Sequence, residues 1–143
     1  MMHWRGAMLD ISRHYFDAEF IKKTISSLAI FDYNTLHLHL TDDQGWRLES
    51  KVFPLLHEVG SIRKHSQNNH GLLEPTYDGI QHSGYLTHED AQEIIIHASS
   101  LGIRVIPEIN IPGHTGALLA AYPQFGINQN PVEVSGRWGI SDH

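Results

Sequence analysis

Three short clusters combine residue types able to do chemistry on a polar ligand: Asp10 with Arg13; Thr41, Asp42 and Asp43; and Glu108, Asn110 and His114. An arginine presents a planar donor fork that bridges two neighbouring oxygens, which suits adjacent hydroxyls of a sugar. A carboxylate accepting from an imidazole N–H fixes the ring's tautomer and raises its basicity, so Asp42 with His114 is a candidate proton-handling pair. His37 and His39 stand two residues apart, which puts both rings on one strand face and can hold a metal. Each cluster also has a plain structural reading. Asp10 and Arg13 can close a turn as a local ion pair, Asp42-Asp43-Gln44-Gly45 can be a solvated turn, and Pro112-Gly113-His114 can break the chain before a helix. For His37 and His39 the structural reading, buried and hydrogen-bonded, is favoured. Trp46 and Tyr85 offer apolar faces to a pyranose ring, although an isolated aromatic is more often packing.

These residues need elements to hold them, and the periodicity supplies an alternation of strand and helix. A short apolar run over 7–11 suits a buried strand. Asp17 can cap a helix whose expected inner face is Phe20, Ile21, Thr24, Ile25 and Leu28, with Lys22, Lys23, Ser26 and Ser27 outside. Over 35–40, Leu36, Leu38 and Leu40 alternate with His37 and His39, the pattern of a strand. Thr87 with Asp90 imitates a capping box ahead of the stripe Ala91, Ile94, Ile95, Ala98 and Leu101, which stops at Gly102. A further strand is expected over 103–109 and a last helix over 117–122. Consecutive βαβ units of this kind predict an α/β fold with parallel strands. The three reactive clusters then all follow strand ends, on the rim where ligands bind in such folds. Residues 41–86 form a long connection with turn signals at Asn68-Asn69-His70-Gly71 and Asp78-Gly79, and room for a short strand over 46–50 and a short helix over 52–59.

Composition narrows the function further. The 143 residues carry 10 Lys+Arg against 16 Asp+Glu, a formal charge of −6, with no basic run to track a phosphate backbone. Nucleic acid is therefore a poor partner. No stretch approaches the ~18 apolar residues of a membrane span. The absence of cysteine removes disulfides, thiolate metal sites and cysteine nucleophiles together, and leaves the compartment open.

Read together, Arg5-Gly6-Ala7-Met8-Leu9-Asp10-Ile11-Ser12-Arg13-His14-Tyr15-Phe16, Leu36-His37-Leu38-His39-Leu40-Thr41-Asp42-Asp43-Gln44-Gly45-Trp46-Arg47 and Pro107-Glu108-Ile109-Asn110-Ile111-Pro112-Gly113-His114 closely resemble the opening half of the catalytic domain of family 20 glycoside hydrolases, the β-N-acetylhexosaminidases. The resemblance implies a (β/α)₈ barrel of which this chain supplies about the first three βα units. It implies that Arg13 holds hydroxyls of a terminal N-acetylhexosamine, that Asp42 and His114 form a supporting pair beside the acid catalyst, and that no metal or cofactor is used. Substrate contact is expected from Arg13, Asp42 and His114, with Trp46 as a weaker candidate. The reaction implied is removal of terminal β-linked N-acetylglucosamine or N-acetylgalactosamine with retention, the substrate's own acetamido oxygen acting as nucleophile.

The family's Asp-Glu pair, which orients the acetamido group and protonates the leaving oxygen, has no counterpart, since no Asp-Glu dipeptide occurs in the sequence. Glu108 is not promoted to that role. Asn110 stands where the family commonly has Asp. A whole barrel takes ~250 residues, so residues 1–143 are expected to be an incomplete catalytic barrel domain, inactive without the C-terminal half that would be its partner. Two other readings stand beside this one. One is a metal-dependent barrel hydrolase with zinc on His37, His39 and His114 and with Asp42 activating water; the other is a non-catalytic sugar-binding remnant that keeps Arg13 and Asp42.

Overall fold

The computed structural model describes residues 2–70 and 73–139; Gly71 of the expected Asn68–Gly71 turn lies outside the described residues. In chain order the elements are β1 (Gly6–Asp10), α1 (Ala18–Ile30), β2 (Thr35–His39), β3 (Thr41–Asp42), β4 (Gly45–Trp46), α2 (Leu55–Glu58), β5 (Ile62–Arg63), β6 (His82–Ser83), α3 (His88–Ser100), β7 (Arg104–Glu108), α4 (Gly116–Ala121) and a 3₁₀ turn at Pro123–Phe125. β1, β2 and β7 pair in that order, all parallel. With α1 and α3 as crossovers and α4 following β7, the chain has the α/β order expected of three βα units. No helix among the described residues is long and apolar enough to cross a membrane.

Local signals act where the sequence puts them. The Asp17 side chain accepts from Phe20 N at 2.8 Å and starts α1. Thr87 and Asp90 form a complete capping box at α3, each side chain taking the other's backbone N–H. One face of the sheet sends Leu36 and Leu38 into a core shared with Ile21 and Ile25 of α1, Ile94 and Ala98 of α3, Leu40 and Ile103.

The buried stripe on each helix is narrower than expected. Phe20 is 42% exposed and stacks on Phe16, with ring centroids 4.3 Å apart. Thr24 bonds back to the Phe20 carbonyl, and Ile95 and Leu101 are exposed. A three-stranded sheet gives each helix a narrow seat, so only the i, i+4 pairs Ile21/Ile25 and Ile94/Ala98 reach it fully.

The long connection carries its own structure. β3 and β4 form a small antiparallel hairpin, β5 and β6 pair antiparallel, and α2 lies between them. Arg47 ties these pieces to the end of β1. Fully buried, it donates to the carbonyls of Ile11, Ser12, Ser61 and Gly84 at 2.6–3.2 Å. No carboxylate pairs with it among the described residues. Burial, reinforced by the charge of Arg63, pushes its pKa down to about 9. A Cβ on residue 45 would stand 2.4 Å from the Arg47 guanidinium, so a larger residue there would push Arg47 off its carbonyls. A second cluster, Trp46, Leu56, Ala117, Ala121 and Val134, packs α2 and α4 against the hairpin.

Candidate functional site

Parallel pairing sets Asp10, His39 and Glu108 side by side as the last residues of β1, β2 and β7. All three side chains lie on the sheet face opposite Leu36 and Leu38, because residues alternate along a strand. The strand ends thus carry a polar row, and the turns beyond add Arg13, Asp42, Asp43, Gln44 and His114.

Asp10 shapes the first turn. Its Oδ1 accepts from the backbone of Ser12 at 2.9 Å and of Arg13 at 3.1 Å, while Oδ2 lies 2.7 Å from Arg13 Nη1. The turn-closing ion pair is real, and Arg13 also reaches past it. Nε donates to Gln44 Oε1 at 3.1 Å, and Nη2 lies 2.6 Å from Asp42 Oδ2. A guanidinium has five N–H groups. Nη1 also points at His39 Nε2 at 3.3 Å, so these contacts leave one Nη2 N–H, on a side chain that is 31% exposed. Arg13 is therefore oriented by the protein on three sides and open to a ligand on the fourth.

Asp42 is the hub. Its side chain is 0% exposed, Oδ2 takes Arg13 and His39, and Oδ1 takes the Asp43 backbone N–H at 2.7 Å and His114 Nδ1 at 3.1 Å. Burial alone would raise its pKa; the bonds from His39 and Asp43 N and the charges of Arg13 and His114 outweigh that and hold it below the ordinary carboxylate value. Asp43 Oδ2 stands 3.3 Å from the same His114 nitrogen, and its Oδ1 accepts from Gly116 N at 2.8 Å, locking the start of α4 to the hairpin. His114 follows the cis Ile111–Pro112 bond and has φ 55°, the left-handed region that side chains rarely occupy. With carboxylates at Nδ1, that nitrogen is a donor.

His39 lies between two acids, with Nε2 3.0 Å from Asp42 Oδ2 and Nδ1 2.8 Å from Glu108 Oε2. The Asp42 bond is the largest influence on the ring and raises its pKa against the opposing effect of burial. Glu108 also takes His37 Nε2 at 2.6 Å, and the His39 bond leads in holding its pKa low.

The expected meeting of Arg13, Asp42 and His114 is present in the structure, with two corrections to individual roles. Asp42 is closed off from solvent, so it holds Arg13 and His114 rather than a ligand. Trp46 is 9% exposed and packed in the second core cluster, its indole N–H donating to Leu48 O at 2.7 Å, and so presents no face to a sugar. Tyr85 packs against His57 with the rings tilted at 58°, and Asn110 enters the site through its backbone, donating to Thr41 Oγ1 at 2.8 Å. Among the described residues, His37, His39 and His114 do not bring ligand atoms together as a metal-holding group. The group whose ligand atoms approach within 4.8 Å is instead Asp42, Asp43 and His114, and their mutual hydrogen bonds and Gly116 account for that cluster. Gln44, which orients Arg13 and donates to Arg137 O at 2.9 Å, was missed as a site residue; its only signal was its place beside Asp42-Asp43.

A basic fork and an acid–imidazole pair thus stand on the C-terminal rim of parallel strands, the side on which barrel folds place their sites. The chain belongs to glycosyl hydrolase family 20: the model of that family's catalytic domain matches residues 2–143. It is 44% identical over 137 residues to a beta-hexosaminidase of Porphyromonas gingivalis, covering 96% of this chain and 16% of that protein. It is 44% identical over 129 residues to a beta-hexosaminidase of Vibrio furnissii, covering 89% and 20%. Among solved structures, a beta-N-acetylhexosaminidase aligns with TM-score 0.89 at 41% identity, over 97% of this chain and 28% of that one. A mutant Streptomyces plicatus beta-hexosaminidase in complex with the product GlcNAc aligns with TM-score 0.82 at 35% identity, over 96% and 25%. The chain thus spans about a fifth or less of the first curated relatives it matches, and its three βα units are part of the family's barrel.

Proposed function

We propose that residues 1–143 form an incomplete catalytic barrel domain that contributes the hydroxyl-gripping wall of a β-N-acetylhexosaminidase site. The observation that carries this reading is Arg13, held by Asp10, Gln44 and Asp42 and facing His39, with one Nη2 N–H left over. A charged N–H on a rigidly held plane fits a hydroxyl of a terminal N-acetylhexosamine. His114, donating from Nδ1, offers Nε2 to the proton traffic at the scissile bond. In the retaining, substrate-assisted route of this family the acetamido oxygen attacks the anomeric carbon while an acid protonates the leaving oxygen. Neither Asp42, buried beneath Arg13, nor Glu108, committed to two histidines, is free to be that acid. With no Asp-Glu pair in the sequence, the acid comes from a segment outside these residues.

The experiment exchanges the matching segment of the Vibrio furnissii relative for this sequence and assays nitrophenyl β-N-acetylglucosaminide. The exchanged enzyme releases nitrophenol and the 143-residue chain alone releases none. A folded but inactive exchange, or turnover by the chain alone, contradicts the proposal. Saturable binding of N-acetylglucosamine by the chain alone, without turnover, would identify it as a sugar-binding unit in its own right.

A further inference from the structure

Glu108 ends β7 without touching Arg13 or His114, yet one of its oxygens holds two rings, His37 Nε2 at 2.6 Å and His39 Nδ1 at 2.8 Å. His39 has a side chain 5% exposed, and its second nitrogen is 3.0 Å from Asp42 Oδ2. An imidazole with a carboxylate oxygen at each nitrogen satisfies both only by donating from both, and only the imidazolium has two donors. The charged groups around it come from every neighbouring element. β1 and its turn supply Asp10 in register and Arg13, whose Nη1 lies 3.3 Å from Nε2. β7 supplies Glu108, β2 supplies His37, the β3–β4 hairpin supplies Asp42, and the turn after β7 supplies His114 on the far oxygen of Asp42. Three close carboxylates against one guanidinium favour a positive ring.

Asp42 Oδ2 is therefore gripped by two cations, Arg13 from one side and His39 from the other. Charge-assisted hydrogen bonds of this kind are about twice as strong as neutral ones. If His39 lost its second proton, one of its two hydrogen bonds to carboxylates would be lost outright, and a ring left with its proton only on Nδ1 would keep at Nε2 the 3.3 Å approach of Arg13 Nη1 while facing Asp42 lone pair to lone pair.

We propose that Glu108 is a positioning residue for this site: by holding His39 through Nδ1 it keeps both ring nitrogens donating, and so fixes the carboxylate on which Arg13 and His114 are both hung. Its consequence for sugar recognition rests on the function proposed above; the linkage itself does not.

Ring-nitrogen magnetic resonance on the ¹⁵N-histidine, ¹⁵N-arginine labelled 143-residue chain tests it. At pH 6.5, where a free imidazole is about half charged, His39 shows both nitrogens protonated as the dominant form. In Glu108→Gln, which keeps shape and removes charge, the proton affinity of His39 falls by about tenfold or more and the Arg13 Nη2–H facing Asp42 exchanges with solvent about tenfold faster. A wild-type ring that is half or less charged at pH 6.5 overturns the proposal, and this arm stands even if the variant does not fold. So does a folded Glu108→Gln whose His39 titration and Arg13 exchange match wild type, the result expected of a merely structural glutamate. Failure of the sugar-binding reading registers elsewhere, as an exchanged enzyme indifferent to loss of Arg13, and leaves the His39 spectrum untouched.

Discussion

Arg13 and Asp42 meet through a 2.6 Å contact between Nη2 and Oδ2, although one follows β1 and the other lies in the hairpin after β2. Because Asp42 is fully buried, the contact organises the site from beneath, and the exposed part of Arg13 is what a ligand would meet. Removing one member of such a pair leaves an uncompensated charge.

Asp42→Asn turns one of the acceptors facing Arg13 and His39 into a donor. The expected loss is about 3–5 kcal/mol of folding free energy, read from urea unfolding of the 143-residue chain. A loss of a few tenths would show that the pair contributes little.

Arg47→Met leaves the carbonyls of Ser12, Ser61 and Gly84 facing an apolar side chain. Each buried group left without a partner costs roughly 1–3 kcal/mol, so the variant is expected to lose about 3 kcal/mol or more. Thermal unfolding checks this, and an unchanged midpoint would contradict the role assigned to Arg47.

The polar row predicts a specific pH profile. Asp42 and Glu108 have lowered folded-state pKa values, so their contribution is complete above the unfolded carboxylate range of about 3.9–4.3 and is lost as pH falls through the folded values. His39 is raised, so its contribution is complete below about 6.5 and is lost as pH rises through its folded value. The network is thus fully engaged between about pH 4.3 and 6.5. Urea midpoints across pH should show an alkaline decline in wild type that is reduced in Glu108→Gln; equal slopes would contradict the linkage.

His82 acts in the opposite sense. Its Nε2 accepts from Tyr15 N at 2.9 Å, and burial, with the charges of Arg63, Arg47 and His14, pushes its pKa down to about 4. Between about 6.5 and that value the unfolded chain takes up a proton that the folded chain refuses, so stability falls as pH falls. His82→Gln keeps an acceptor without the titration and should flatten the profile in that interval. A slope unchanged by the substitution would locate the effect elsewhere.

What could be read in the sequence was whatever depends on neighbours in the chain. Asp17 and the Thr87–Asp90 box mark helix starts through bonds three residues long, and the alternation of Leu36, Leu38 and Leu40 marks a buried face. The site was legible as three strand ends, and Asp42 with His114 met as expected. What was hidden depends on register and packing. The pairing that brings Glu108 to His39 spans 69 residues, and no local pattern announces it. Arg47 has the composition of a surface residue, and only the carbonyls that surround it make it a core one. Trp46 occupies the core because α2 and α4 close over it, and Phe20 escapes because the sheet is narrow.

The grip assigned to Arg13 is tested most directly by kcat/KM of the exchanged Vibrio furnissii enzyme with Arg13→Ala and Arg13→Lys. A charge-assisted bond to substrate at about 1.5–3 kcal/mol predicts a fall of at least about tenfold for alanine. Lysine restores little, since an ammonium cannot keep three protein anchors and a ligand bond in one plane. An alanine variant within about twofold of the unmodified exchange would contradict the account.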